Sequence, residues 1–187
     1  MLPTIKSVQS NTSSLRGLLL LLLLLALTQY PISIAQAESL SLDALFKQLK
    51  VVTTEDKARE LENQIWKKWL SSGDPKIDKL MQAALRARRS YNFNGALEIL
   101  NQVVELKPEF PEVWNQRATV YFHQEQYKKS LEDIAKTLEL EPRHFGSLAG
   151  RAVIRLKQKK PALAIQNIKV ALEFHPYLKE RNMFPNL

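Results

Sequence analysis

Cysteine is absent from the 187 residues. Disulfides are therefore excluded, and so is a lipoprotein-type anchor, which needs a cysteine at the cleavage point. Glycine is scarce, at 5 residues, so glycine-rich phosphate-cradling loops are not expected. No nucleophile elbow, P-loop, dinucleotide fingerprint or zinc-binding H-E-x-x-H occurs. The three histidines, His123, His144 and His175, share no metal-ligand spacing. Carboxylates are scattered rather than paired. These absences predict a non-catalytic protein with no metal and no cofactor. An enzyme would need a constellation assembled across distant parts of the chain.

Acidic residues are missing from the first 37 positions, Glu38 being the first. Lys6 and Arg16 precede an apolar core over residues 17–27, and Ala35-Gln36-Ala37 supplies small residues ahead of a cut. A charged start, a short apolar core and an A-x-A site predict a signal peptide over residues 1–37. The positive charges lie before the core, which keeps the N-terminus in the cytoplasm and sends the rest across. The expected location is therefore the bacterial periplasm. Residues 17–34 just reach the length of a span if uncleaved, so anchoring in the inner membrane is the alternative.

Charge is uneven along the remaining 150 residues, whose net charge is +6. Residues 143–187 carry nine basic and two acidic groups, a net of +7, which leaves −1 for residues 38–142. Arg143, Arg151, Arg155, Lys159, Lys160 and Lys169 then form a candidate basic face. It predicts contact with acidic protein, phospholipid headgroups or an anionic envelope polymer. A solvated, solubilising face is the plainer alternative. Nucleic acid is not expected, because the basic residues lack interleaved aromatics and follow an export signal.

What the chain does have is a period. Pro108, Pro142 and Pro176 stand 34 residues apart. Counting repeats from Ile77, Pro111 and Phe145, the fourth position reads Leu80, Trp114, Leu148 and the eighth Ala84, Ala118, Ala152. The twentieth reads Ala96, Ser130, Ala164 and the twenty-fourth Leu100, Ile134, Ile168. The twenty-seventh reads Val103, Thr137, Ala171, and the thirty-second is the proline. Within a repeat, positions 4, 8 and 11 differ by four and three, as do 20, 24 and 27, which puts each set on one helix face. Small residues at 8 and 20 let two helices approach, and proline ends the second helix.

This pattern resembles the tetratricopeptide repeat (TPR) family. The middle repeat fits best, with Trp114, Ala118, Tyr121, Ser130, Ile134 and Pro142. The first departs at Ala87, and the third at Arg155 and at Pro161, which the first turn of a helix tolerates. The resemblance implies an all-α fold, a TPR α-solenoid of three helix hairpins over residues 75–178. It also implies a concave groove that holds other proteins. The groove would be lined by Asp78, Met81, Leu85, Arg88 and Arg89, then Glu112, Asn115, Thr119, Phe122 and His123, then Gly146, Ala149, Val153, Leu156 and Lys157. The family's clamp for C-terminal carboxylates has Lys and Asn where Met81 and Leu85 stand, so that specificity is not implied. Apolar residues mixed with Arg88, Arg89 and Lys157 suit an extended or helical protein segment with apolar anchors and some acidic residues. The alternative is that the chain's own N-terminal hairpin or C-terminal tail fills the groove.

Residues 38–74 read as a shorter helical hairpin, with Leu42, Leu45, Phe46 and Leu49 in one helix and Leu61, Ile65, Trp66 and Trp69 in the next. Thr54 is the expected N-cap of the second. Ser71-Ser72-Gly73-Asp74-Pro75 reads as stop, cap and restart. A solenoid end needs covering, so this hairpin is expected to cap the first repeat. The tail, residues 179–187, offers Met183 and Phe184, with Tyr177 and Leu178 just before it, for a second short cap or for docking on another copy or a partner. Arg117 and Arg151 share the seventh position and are expected to pair with carboxylates such as Glu112 or Glu141, their stems covering apolar surface. His144 is expected to cap the preceding helix or line its turn. The whole predicts an exported scaffold or adaptor for protein–protein interaction. A membrane-anchored receptor or assembly factor is the alternative.

Overall fold

The structure, a computed structural model, describes residues 40–185. The expected signal peptide and the last two residues of the tail lie outside them. Eight α-helices follow one another among the described residues, and no strand occurs. They are α1 (Leu42–Val51), α2 (Glu55–Trp69), α3 (Pro75–Arg89), α4 (Phe93–Leu106), α5 (Pro111–His123), α6 (Tyr127–Leu140), α7 (Phe145–Lys157) and α8 (Pro161–Phe174). A 3₁₀ turn, Lys179–Met183, comes last.

Local chemistry sets the boundaries. Thr54 caps α2, its hydroxyl accepting from Lys57 N–H. Asp74 caps α3, with Pro75 in the first turn, and Asn92 caps α4. The second helices of the hairpins end at Leu106, Leu140 and Phe174, two residues before each periodic proline. The first helices end alike. Asn92 N–H donates to Ala87 C=O, Gln126 to Tyr121 and Lys160 to Arg155, each at 2.9 Å. Such a bond closes the helix around a left-handed residue, and Tyr91, Glu125 and Lys159 have φ of 60°, 58° and 58°. None is glycine, so each turn holds an ordinary side chain in a conformation that costs about 1–2 kcal/mol.

Three hairpins, α3–α4, α5–α6 and α7–α8, stack in sequence order, with the first helices of successive hairpins touching. The core divides. Ile77, Met81, Ala84, Ala96, Leu100 and Val103 pack with Phe110, Val113 and Val120 at the first-to-second junction. Ala118, Ile134 and Ile154 form a smaller middle cluster.

The third cluster corrects one expectation. Leu45, Phe46, Leu49, Ala58, Leu61, Ile65 and Trp69 of the N-terminal hairpin pack with Phe145, Leu148, Ala149, Ala152, Ala164, Ile168 and Ala171. The hairpin is therefore buried on the third repeat, and its residues are absent from the first repeat's core. Aromatic chemistry decides this. Trp69 stacks on His144 at 4.0 Å, while Trp66 and Phe46 meet Phe145 edge-on at 5.7 Å and 6.2 Å. The start of α3 exposes Pro75, Lys76 and Lys79. Leu178 and Phe184 join the same cluster and pin the tail to it, whereas Tyr177 and Met183 stay exposed.

Candidate interaction groove

A groove of about 440 Å³ runs between α5 and α7. Asn115, Ala118, Thr119, Phe122 and His123 form one wall, and Gly146, Ser147, Gly150, Val153 and Ile154 the other. Ser130 and Ile134 of α6 lie at its floor, and Lys179 and Glu180 of the tail at its rim. Glycine is needed at one of these places. A Cβ on Gly146 would lie 2.8 Å from Trp66 Cη2, so Trp66 can pack there only against a bare backbone.

Of the residues expected in the groove, the structure brings together Asn115, Thr119, Phe122, His123, Gly146 and Val153. Others are placed differently. Met81 is 1% exposed, inside the first repeat's core, and Ala149 is 2% exposed, under the N-terminal hairpin. Asp78 holds the loop before α3, accepting from Ser72 N–H at 2.7 Å. Leu85 and Leu156 are half-buried, while Arg89 and Lys157 are exposed. The N-terminal hairpin thus occupies part of the third repeat's concave surface, and the open groove is shorter than the repeat pattern predicts.

Glu112 is corrected most. It is 1% exposed. Its carboxylate accepts from Asn115 Nδ2 at 3.2 Å and Gln116 Nε2 at 2.5 Å, and its other oxygen lies 3.0 Å from His144 Nε2. His144 Nδ1 accepts from Ser147 N–H at 3.1 Å. Nδ1 is thus an acceptor, so Nε2 carries the proton and donates to Glu112. His144 is the N-cap of the following helix, α7, not a cap on the preceding one. Glu112 and His144 together lock the second repeat to the third.

The two repeat-equivalent arginines serve the hairpins themselves. Arg117 forks onto both oxygens of Asp133 at 2.8 Å and donates to Asn101 at 2.9 Å. Its guanidinium sits 4.8 Å from the Trp114 ring. The hydrogen bonds with Asp133 hold its pKa above the ordinary arginine value. Arg151 donates to Asn167 of α8, sixteen residues on, as Asp133 is from Arg117. Neither pairs with Glu112 or Glu141.

The candidate basic face divides too. Arg143 bonds Glu141 and reaches Asp43 of α1 at 2.6 Å, with its guanidinium 4.6 Å from the Phe46 ring. It fastens the hairpin and is not a free surface cation. Arg151 is held as described, and Arg155 donates to Gln158 at 2.8 Å. Lys159, Lys160 and Lys169 are exposed.

One carboxylate links pH to this architecture. Glu62 of α2 lies 3.2 Å from His175 Nε2 and accepts from Trp66 Nε1 at 3.2 Å. The His175 hydrogen bond, opposed by burial and aided by Trp66, keeps its pKa below the ordinary 4.5. A lowered carboxylate pKa gives stability that is complete above the unfolded value and is lost as pH falls through the folded one. Denaturant stability is expected to decline below about pH 4.5, and Glu62→Gln to flatten that decline. An identical slope in the variant would remove Glu62 from the account.

A model of the tetratricopeptide repeat matches residues 111–144, the α5–α6 hairpin with the junction after it. A TPR repeat-containing protein of Rhizobium etli is 39% identical over 135 residues, 72% of this chain and 66% of that protein. The chain belongs to the tetratricopeptide repeat family. As a TPR protein it carries repeats of the kind that mediate protein–protein interaction. It spans just under two thirds of the Rhizobium relative's length and far less of DnaJ protein P58IPK homolog A of Oryza sativa subsp. japonica. That protein is 38% identical over 63 residues, 34% of this chain and 13% of its own length. Among solved structures, the crystal structure of MamA superposes with a TM-score of 0.50 at 14% identity, over 81% of this chain and 86% of that one. That likeness supports the helical solenoid fold alone.

Proposed function

We propose that this TPR protein is an exported, non-catalytic adaptor that holds a segment of another protein in the groove between α5 and α7. The observation that carries the reading is that open groove, with His123 in its wall and Arg89 and Lys157 at the equivalent positions of the other two repeats. These three stand at the same position of successive repeats, and all are exposed. The Arg89 and Lys157 cations favour a segment with apolar anchors and acidic residues. Lys159, Lys160 and Lys169 add a second positive surface for an anionic partner or envelope component. Export to the periplasm rests on the sequence of residues 1–37. If those residues stay attached, the same groove serves a membrane-anchored receptor or assembly factor, and the intact mass of the protein isolated from cells separates the two.

The test is a crosslinking pull-down from native envelope extract. It compares the protein with Arg88→Glu/Phe122→Ala/Lys157→Glu and with the pair Arg88→Glu/Lys157→Glu, which leaves Phe122 in its contacts. A partner captured by the natural chain and depleted at least tenfold in both folded variants supports the reading. Equal recovery in all three would remove the groove from the function.

A further inference from the structure

Helix α8 ends the stack of repeats, and its outer face differs from those of the two helices equivalent to it. Only Ala164, Ile168 and Ala171 of α8 are buried. Leu163, Ile165 and Val170 are 41%, 38% and 39% exposed. Ile165 follows the repeat pattern. Its counterparts, Leu97 of α4 and Leu131 of α6, are partly buried against the core clusters, whereas no further repeat follows α8 among the described residues. Leu163 and Val170 break the pattern. The corresponding residues are Gly95 and Gln102 in α4, and Lys129 and Lys136 in α6. Stacking of repeats therefore requires an apolar side chain at neither place. The two lie seven residues apart, about two helical turns, and so on one side of α8. Apolar groups grouped on an exposed face gain free energy when something covers them.

Cations accompany this face. Lys159 and Lys160 precede α8, Lys169 stands within it, and all three are exposed. Among the described residues none of them is ion-paired. In α6, by contrast, Lys136 pairs with Glu139 at 2.8 Å, and Lys129 lies over the Tyr121 ring. Carboxylates change in the opposite sense. Glu98 of α4 and Glu132 of α6 hold the position at which α8 has Gln166, and α8 keeps one acid, the exposed Glu173.

Lysines around exposed aliphatic side chains match the chemistry of an anionic bilayer surface. Their stems lie along apolar groups while the ammonium groups reach the phosphates, and the aliphatic groups enter the acyl boundary. A second copy of the chain fits less well. A two-fold contact through α8 would set Lys159, Lys160 and Lys169 against the same cations of the other copy.

We propose that α8 rests on a membrane surface of anionic phospholipid. Leu163 and Val170 turn into the acyl boundary, and Lys159, Lys160 and Lys169 sit on headgroup phosphates. This rests on the second positive surface of the functional reading above, is independent of the groove, and adds the apolar pair that seats the helix.

A chain without cysteine accepts a single reporter. The protein isolated from cells carries Gln166→Cys, labelled with an environment-sensitive fluorophore, or Glu132→Cys at the equivalent place on α6. The vesicles are an equimolar mixture of phosphatidylglycerol and phosphatidylcholine, or phosphatidylcholine alone. Emission from position 166 is expected to brighten and shift to the blue on the mixed vesicles only, and that from position 132 to stay unchanged. With the reporter at 166, Lys159→Glu/Lys160→Gln is expected to weaken vesicle partition at least about tenfold, at about fivefold for each lysine. The turn accepts both changes, because Glu125 and Gln126 occupy the same places before α6, Glu125 with the same φ of 58° as Lys159. Leu163→Gln/Val170→Gln, at exposed sites, keeps the charge and is expected to weaken partition at least about threefold.

No response at position 166, or an equal one at position 132 or on phosphatidylcholine alone, would overturn the membrane seat. So would a loss confined to the lysine variant. If polyglutamate binds in place of lipid and the lysine variant abolishes that binding, the positive surface stands with an acidic protein as its partner. If neither binds, the positive surface falls as well. Brightening without lipid that grows with protein concentration would assign α8 to a second copy and overturn the membrane.

Discussion

Phe145→Ala is expected to destabilise the protein by about 3–5 kcal/mol, the range for removing a buried aromatic side chain. Phe145 is fully buried, with Phe46, Trp66, Trp69 and His175 around its ring. Two of the lost partners are on α2 and one on α1, so the cavity opens between the N-terminal hairpin and the third repeat. The ring also anchors the first turn of α7, beside Gly146 and the His144 cap. Hydrogen exchange distinguishes this from general loosening. Protection should fall over residues 42–69 and 145–174 and persist in α3 and α4, whose cluster shares no residue with it. Uniform loss across all hairpins would mean that the hairpin contact is not a separable part of the fold.

Glu112→Ala is expected to cost at least about 3 kcal/mol, since it strips a buried carboxylate from hydrogen-bond donors that have no other place to go. His144, Asn115 and Gln116 would each keep a buried N–H facing a gap. The His144 imidazole would lose the partner that fixes its tautomer, and with it the bond to Ser147 N–H that starts α7. Urea denaturation measures the loss. Glu112→Gln retains the volume yet sets an amide against donors, so it should recover only part of it. A change under 1 kcal/mol for Glu112→Ala would show that the network relaxes onto other acceptors.

The repeats were legible because their signal is local and repeated. Spacings of three and four name the buried stripe of each helix, and the period of 34 aligns three copies without reference to their partners. Thr54, Asp74 and Pro161 likewise act within a few residues of where they stand. The position of the N-terminal hairpin was not legible in this way. Leu45, Leu49, Leu61 and Ile65 announce apolar faces, but a stripe does not say which surface covers it. Nor does the repeat pattern distinguish a groove position that stays open, such as Val153, from one that a remote segment covers, such as Ala149. The junction from Glu141 to Gly146 held the available clue. A histidine, a phenylalanine and a glycine in succession are more than a linker between repeats requires, and the structure shows each one meeting a tryptophan of α2.

The Asp43–Arg143 pair spans 100 residues and the Glu62–His175 pair 113, whereas contacts inside a repeat hairpin join close neighbours in sequence. A stack of repeats can nucleate anywhere and grow by neighbours. This chain must also bring residues 42–69 and 143–175 together, and the entropy of that closure has to be met before the aromatic contacts repay it. During synthesis the first hairpin emerges long before the surface that will bury it. Until α7 and α8 form, Phe46, Trp66 and Trp69 have no Phe145 or His144 to meet. The last repeat completed is therefore the one that makes the first segment native.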